Sequence, residues 1–347
     1  MKQNWKRFLV GPGAMLLALF LLPRGASALT ISPAYVDHTL NPGDTVIETL
    51  KVINDQGGQI TVYPRAENFT AGADEGGTPQ FYAAEEDPYG TALAKWITFD
   101  SQPIVLQPNE RANLVFTINV PTDVQPGGHY GAVILGRAAP ETQGGHIGLE
   151  SEIGELVMVR VSGDIKEQAS LAEFGFKQPQ VWYNHLPVDF FFRFENSGNT
   201  HLRPVGNLFV KNWLGQQVAA VVINEDLKGV LPHSIRRFDF AWGGASSGGL
   251  KEKPGFTEGL IQEWENFGFG KYKATLVLNY GASNKIIVDQ REFTVWPWRL
   301  LCAGGVVLLL ILLFFALLMK LNNMAVIRRY EKMKKTEQTE KKQGGSL

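Results

Sequence analysis

Two stretches of the chain that lie 142 residues apart begin in almost the same way. Residues 128–132 are Gly-His-Tyr-Gly-Ala and residues 270–274 are Gly-Lys-Tyr-Lys-Ala, and an apolar run follows each of them. In immunoglobulin-like sandwiches a late strand begins with a tyrosine whose hydroxyl returns to the backbone, two positions before a disulfide cysteine. Alanine occupies that cysteine position in both stretches. The repeat predicts two such sandwiches in one chain, with Tyr130 and Tyr272 at equivalent positions.

The repeat extends to two turns upstream of each tyrosine. In each copy an early apolar segment ends at an asparagine followed closely by glycine, at Asn54 and Asn196. We expect asparagine and glycine there to adopt left-handed backbone angles. A proline turn then precedes a later strand, at Pro108 and Pro232. The shared order of these features favours one fold used twice.

Strict alternation of apolar and polar residues predicts an all-β fold. The clearest example is residues 188–195, where Val188, Phe190, Phe192 and Phe194 fall on one face. Residues 114–120, 238–242 and 274–280 alternate likewise, as is typical of antiparallel sheets with one buried face. The helical pattern outside the chain ends is limited to a short segment, residues 257–267.

We expect the first sandwich to span residues 29–166 and the second to span residues 167–296. Two insertions interrupt the repeat, at residues 68–95 and 243–270. Long loops on a rigid sandwich commonly carry binding residues, although a disordered decoration is the alternative.

Residues 1–28 have the pattern of a signal peptide. Lys2, Lys6 and Arg7 precede an apolar stretch, and Ala26-Ser27-Ala28 supplies a cleavage pattern of small residues. An uncleaved signal anchor is the alternative interpretation.

The C-terminal region predicts a single membrane-spanning helix within residues 297–320. Leu300–Met319 contains 20 residues without a charge, and Trp296 and Trp298 precede it. Twenty residues match a hydrocarbon core of about 30 Å, and tryptophans favour the interface. Residues 320–347 carry eight Lys and Arg against three Glu. This bias predicts an external N-terminal region and a cytoplasmic tail, residues 321–347, which we expect to be disordered.

Charge and cysteine content exclude several classes of protein. Residues 29–296 carry 20 Lys and Arg against 31 Asp and Glu, a net charge of −11. Nucleic-acid binding needs clustered basic groups, so this region is a poor match for it. The one cysteine, Cys302, lies within the predicted membrane helix. The external region therefore has no disulfide and depends on packing for its stability.

The sequence offers no catalytic motif, and we expect no enzyme activity, no cofactor and no metal site. The six histidines are scattered, and no nucleophile elbow or phosphate loop is present. Glu85, Glu86 and Asp87 lack the spacing of a calcium loop, which favours a solvated acidic loop. A glycosidase with two distant carboxylates stays open as a minor alternative.

The candidate binding residues are aromatic. Phe81, Tyr82 and Tyr89 lie in the first insertion, where exposed rings would stack on sugar faces or protein strands. A small cluster folded under the loop is an equally open alternative. Gly127, Gly128 and Tyr130 are interpreted as structural, because the glycines suit a tight turn. His129 within this turn matches Lys271 in the second copy, which disfavours a role in ligand binding.

The first predicted sandwich resembles the N-terminal domain of WxL-interacting proteins, a domain of unknown function. The resemblance covers about residues 30–138 and is only architectural from residue 170 onward. Its most specific part is Pro-Gly-Gly-His-Tyr-Gly at residues 126–131. The motifs that carry it, in chain order, are Ile31-Ser32-Pro33, Asn41-Pro42-Gly43-Asp44, Val52-Ile53-Asn54, Trp96-Ile97, Leu106-Gln107-Pro108-Asn109-Glu110 and Val120-Pro121.

This resemblance implies a signal peptide, two immunoglobulin-like domains, one membrane helix and a basic tail. It also implies that the first domain binds peptidoglycan and that the protein engages WxL-type surface proteins. Binding to a host surface is not carried over, because the second predicted sandwich shows no matching motif.

Two hypotheses for the function follow. The leading one is a single-pass envelope protein of a bacterium, whose external region binds cell-wall polymer or a surface protein. The alternative is a chaperone-like or assembly subunit whose sheet edge captures a β-strand of a partner.

Overall fold

The computed structural model describes residues 29–137, 152–243 and 255–343. These residues separate into two compact units. The first unit comprises residues 29–74, 78–137, 152–167 and 198–201, and the second unit comprises residues 75–77, 168–197, 202–243 and 255–343. The predicted signal peptide, residues 1–28, lies outside the described residues.

Two facing sheets form the first unit. One sheet has the strand order β1-β3-β8-β6, and the other has the order β2-β10-β9-β4-β5, with β7 paired to β4. The chain crosses between the sheets after β1, because β2 pairs in parallel with β10, with Tyr35 opposite Leu156. The strands are β1 Leu29–Ser32, β2 Tyr35–Leu40, β3 Thr45–Asn54, β4 Ile60–Ala71, β5 Pro79–Tyr82, β6 Ile97–Phe99, β7 Ile104–Leu106, β8 Arg111–Asn119, β9 Gly127–Gly136 and β10 Ile153–Val161.

The second unit contains a smaller pair of sheets. Their strand orders are β11-β12-β15 and β14-β13-β16-β17, all antiparallel. The strands are β11 Ala169–Phe176, β12 Val188–Asn196, β13 Val205–Asn212, β14 Gln217–Ile223, β15 Ser234–Trp242, β16 Gly270–Tyr280 and β17 Lys285–Val295.

Phenylalanines dominate the core of the second unit. Val188, Phe190, Phe192 and Phe194 on β12 are all 0% exposed, as their alternation predicts. Phe192 stacks on the ring of Phe238 with ring centroids 4.8 Å apart. Leucine and valine side chains from the opposite sheet complete this core, so both sheets bury one face against each other. The predicted β-sandwich sheets are therefore confirmed.

A buried asparagine closes one end of the first unit. Asn54 ends β3 and is 0% exposed. Its side-chain Nδ2 donates to the carbonyls of Gly58, Leu106 and Gln107 at 2.9, 3.1 and 3.0 Å, and its Oδ1 accepts from Gln56 N. These bonds join the turn after β3 to the turn before β8. Because the Asn54 side chain is buried, these bonds also satisfy its own amide donor and acceptor.

The second unit also has a buried asparagine at the end of a strand. Asn196 ends β12, is 0% exposed and donates from Nδ2 to the carbonyl of Val230 at 2.9 Å. The left-handed residues lie in the proline turns and not at these asparagines: Asn109 and His233 have φ of 63° and 55°. The expectation of left-handed angles at Asn54 and Asn196 was therefore wrong, because both residues end a strand and act through their side chains.

Two α-helices follow β15. Helix α1, Phe256–Glu265, falls close to the predicted segment 257–267, and helix α2 spans Trp298–Gln343. Helix α2 is long and apolar enough to cross a membrane, by its length and composition. The expectation of a disordered tail was wrong for residues 321–343, which continue α2. Lysine, glutamate, arginine and methionine favour helix, and no glycine or proline interrupts residues 306–343.

One buried carboxyl stands out in β10. Glu155 is 0% exposed, and neither of its carboxylate oxygens has a hydrogen-bond partner among the described residues. Burial raises the pKa of Glu155 to about 7 from an ordinary value of 4.5, and the nearby charge of Glu48 adds to the shift. A raised pKa means that the folded protein retains a proton which the unfolded chain has already released.

The Asn54→Ala variant tests the closing role of this side chain. Since three carbonyls lose a donor and the backbone N–H of Gln56 loses its acceptor, the free energy of local opening should fall by about 2–4 kcal/mol. Hydrogen-exchange mass spectrometry of peptides covering β3 and β8 measures it. The matched control is Asn113→Ala, which removes an exposed asparagine from β8. Equal protection in both variants would contradict the role of Asn54.

The Glu155→Gln variant tests the buried carboxyl. Wild-type stability should fall as the pH rises from about 4.5 to about 7, where the folded protein loses its proton. The variant lacks this decline, so its unfolding free energy relative to wild type should gain roughly 1–3 kcal/mol over that range.

Denaturant unfolding of the detergent-solubilised chain at a series of pH values measures this difference. The variant Glu155→Asp keeps a carboxyl and should keep the decline. Parallel pH profiles for wild type and Glu155→Gln would show that Glu155 does not titrate in the folded protein within this range.

Candidate functional site

The two tyrosines of the repeat differ in their partners. The hydroxyl of Tyr272 accepts a hydrogen bond from the backbone N–H of Phe269 at 3.1 Å, which is the expected return to the upstream backbone. The hydroxyl of Tyr130 instead lies 3.4 Å from Nδ1 of His201 within the first unit. The return to upstream backbone is therefore observed at Tyr272, whereas the Tyr130 hydroxyl lies against both the imidazole and the backbone of His201.

The glycines before Tyr130 are required by close packing. Gly127 has φ of +139°, a conformation that favours glycine. A Cβ on Gly128 would lie 2.0 Å from the hydroxyl oxygen of Tyr130. His129 is buried against Trp96, with ring centroids 4.5 Å apart, and burial lowers its pKa. These contacts give the segment a structural role and leave His129 little access to a ligand.

A single asparagine organises the first insertion. Asn68 on β4 is 0% exposed, and its Nδ2 donates to the carbonyls of Ala83, Ala84 and Glu86. Its Oδ1 accepts from the backbone N–H groups of residues 93 and 94 at 2.9 and 2.7 Å. The loop is therefore held by defined bonds along its length.

The acidic triplet in this insertion has a structural use. One carboxylate oxygen of Asp87 accepts from the backbone N–H groups of Thr91 and Ala92 at 2.9 and 3.1 Å. Among the described residues, no group of three or more His, Cys, Asp or Glu side chains is placed to hold a metal ion.

The three candidate aromatics do not form one surface. Phe81 lies opposite Phe69 across the β4–β5 pair, and Tyr82 lies opposite Asn68. Successive residues of a strand face opposite sides, so Phe81 and Tyr82 point away from each other. The ring of Tyr82 contacts that of Tyr89 edge-on at 6.0 Å. Phe81 and Tyr89 are 40% and 62% exposed, while burial raises the pKa of the Tyr82 hydroxyl.

A different candidate binding site lies at the edges of the second unit's sheets. The edge strands are β11, β15, β14 and β17. Charged residues occur on three of them: Glu173 on β11, Arg236, Arg237 and Asp239 on β15, and Lys285, Asp289, Arg291 and Glu292 on β17. Strand β14 has the sequence Gln-Val-Ala-Ala-Val-Val-Ile and carries neither a charge nor a proline. Charges and proline are the devices that normally protect a sheet edge from pairing.

Strand β14 is also open to solvent. It pairs with β13 on one side, and no described strand pairs with its other side. Val218 and Val222 are 46% and 54% exposed. Across the sheet, Val222 is opposite Asn207, which is opposite Val277, which is opposite Val288, itself 59% exposed. Three of the four residues in this cross-strand row are valines, and Asn207 separates the edge valine from the other two.

The sequence contained a signal for this edge. Strands with one solvated face alternate apolar and polar residues, whereas residues 218–223 are apolar without interruption. The same holds for Ile286, Ile287 and Val288 on β17. Such a run is ambiguous by itself, because a strand buried on both faces has the same pattern. Only the strand order shows that β14 is an edge.

No family model matches the sequence, and no curated protein matches it. Solved structures do show likeness. The chaperone CfaA of class 5 fimbriae is 10% identical with a TM-score of 0.36, over 76% of this chain and 99% of that chain. The E. coli chaperone DraB is 12% identical with a TM-score of 0.31, over 78% and 98%. The Pseudomonas aeruginosa chaperone CupB2 is 9% identical with a TM-score of 0.33, over 76% and 100%. Scores this low carry no argument about function.

Proposed function

We propose that the chain is a membrane-anchored envelope protein that captures a β-strand of a partner protein at the open edge of β14. The observation that carries this proposal is the composition of that edge. The strand has seven residues, no charge and no proline, while every other edge strand of its unit carries charge. An unprotected edge of this length favours strand addition.

Strand addition would use both the open backbone groups of β14 and its exposed side chains. Backbone N–H and C=O groups along β14 would supply affinity through main-chain hydrogen bonds. The exposed side chains of Val218 and Val222 would contact alternate side chains of the added strand. The partner strand would therefore be apolar at alternate positions on its outward face.

The charges on the other edges give the proposed capture its selectivity. On β17, the Asp289 and Arg291 side chains form an ion pair at 2.9 Å, and the Arg291 guanidinium lies over the Phe174 ring. A strand added there would have to meet these charges. Pairing is therefore directed to β14.

The anchor supports an envelope location. Helix α2 supplies an apolar segment of sufficient length for a membrane span. In our proposal the sandwiches are external and the basic tail is cytoplasmic, and the chain has no catalytic role. A protein partner is also consistent with the resemblance to WxL-interacting proteins, which implies engagement of surface proteins.

Residue-specific photo-crosslinking in native membranes tests the capture. A photo-crosslinking residue at position 220, in the middle of β14, should yield one stoichiometric partner protein, crosslinked through a single extended segment. The Val222→Lys variant places a charge on the edge and should reduce this crosslink at least about tenfold. The matched control is Val288→Lys, which changes an equally exposed valine on β17 and should leave the crosslink intact.

Three results would contradict the proposal: crosslinks only to wall fragments, a crosslink to a second copy of this chain alone, or equal yields in the two lysine variants. The first of these would favour the other candidate function.

Binding of cell-wall polymer is the second candidate. The exposed Tyr89 ring, held edge-on against Tyr82, is the observation that favours it, since aromatic faces stack on sugars.

Co-sedimentation of the solubilised chain with isolated sacculi tests this candidate. If the Tyr82–Tyr89 side of the insertion binds polymer, Tyr89→Ala should weaken binding about tenfold. Phe81→Ala, on the opposite face of the same strand pair, should have little effect. Equal affinities for wild type and Tyr89→Ala would remove this pair from any polymer site.

A further inference from the structure

Helix α1 is held against the first turn of the membrane helix by one of its two faces. Glu263 on α1 is 0% exposed. Its carboxylate accepts from Nη1 of Arg299 at 3.1 Å and from the backbone N–H of Leu300 at 3.0 Å. A Cβ on Gly259 would lie 2.6 Å from Cζ of Arg299, so glycine permits this close approach. The contact places α1 beside the residues where the apolar span begins.

Away from this contact, α1 exposes three apolar side chains, with the exposed carboxylates of Glu258 and Glu265 beside them. Phe256, Ile261 and Trp264 are 53%, 54% and 74% exposed. Ile261 and Trp264 are three residues apart and share a face, whereas Phe256 borders the face that carries Gly259 and Glu263. The segment that follows adds Phe267 and Phe269, which are 60% and 41% exposed. A helix in water does not normally present such a face without a partner.

The surroundings indicate what covers this face. The Phe256 ring contacts the Trp298 ring at 6.2 Å, and the Phe269 ring contacts the Trp296 ring at 5.2 Å. Trp296 and Trp298 immediately precede the uncharged segment that begins at Leu300. Tryptophans at such positions lie at the boundary between headgroups and acyl chains. The exposed aromatics of α1 are therefore continuous with the tryptophans at the start of the span.

We propose that α1 lies in the outer membrane–water interface, with Phe256, Ile261 and Trp264 inserted at the level of the lipid headgroups and upper acyl chains. The proposal rests on the proposed membrane anchorage by α2 and adds a second lipid contact to it. The Glu263 carboxylate joins α1 to α2, and both helices belong to the second unit. Contact of α1 with the lipid therefore restrains how the second unit tilts on the membrane.

The lipid chemistry follows from the residues of α1. The helix contains Glu258, Glu263 and Glu265 but no lysine or arginine. Attraction to anionic headgroups therefore contributes nothing, and binding depends on apolar area. The occupant is a zwitterionic phospholipid surface, and anionic lipid should not strengthen insertion, because Glu258 and Glu265 are exposed.

Fluorescence quenching of the full chain in phosphatidylcholine vesicles tests this proposal. Three single-cysteine variants in a Cys302→Ser background carry an environment-sensitive label. Ile261→Cys reports on α1. Val288→Cys reports on an equally exposed site on β17. It lies seven residues, or about 23 Å along the strand, before Val295, where β17 ends close to α2. Leu309→Cys reports on the span itself.

The label at position 261 should be quenched by a lipid nitroxide placed near the headgroup end of the acyl chain. It should be protected from aqueous iodide roughly threefold relative to the label at position 288. Adding anionic lipid should increase neither the quenching nor the protection at position 261.

If positions 261 and 288 are equally accessible to iodide while position 309 is quenched by lipid, the anchorage holds and the proposal for α1 is overturned. If position 309 is not quenched by lipid, the anchorage fails and the proposal fails with it.

Discussion

Each sandwich is closed at one end by a buried asparagine amide. Asn54 and Asn196 end equivalent strands, and both donate to carbonyls in the segment that leads to the next proline turn. Residues 29–296 contain no cysteine, so these sandwiches cannot use the disulfide that joins the two sheets of many immunoglobulin-like domains. Hydrogen bonds to buried carbonyls and a phenylalanine-rich core supply the closure instead. The positions of the insertions and of the edge strands depend on these two closed sandwiches.

The sheets of the second unit have exposed edge strands, which differ in whether they carry charged residues. Edges that carry charge are protected from pairing, whereas β14 has no such protection. Because the protein is proposed to be fixed to a membrane by α2, a partner would meet β14 at a defined height above the lipid. Contact of α1 with the lipid surface would limit tilting of the sheet during that encounter. The anchor and the lipid contact of α1 would thus hold β14 in a defined orientation for capture of the partner strand.

Much of the fold could be predicted from the sequence. The alternation in residues 188–195 was sufficient to identify a half-buried strand and its inward face, and composition identified a C-terminal helix long and apolar enough to cross a membrane. The roles of Asn54, Asn68 and Asn196 could not be predicted, because their carbonyl partners are distant in sequence. The candidate aromatics Phe81 and Tyr82 were grouped by proximity, yet their strand separates them onto opposite faces. Prediction of β14 as an edge strand requires the strand order, which cannot be derived from the apolar content of the sequence.

The most direct test of the central claim is amide hydrogen exchange of β14 in two settings. Residues 217–223 should exchange slowly in native membranes, where a partner strand is bound, and faster in the purified chain. Peptides from β17 should exchange at equal rates in both. Equal rates for β14 in the two settings would show that its edge is not occupied in the membrane and would contradict the account.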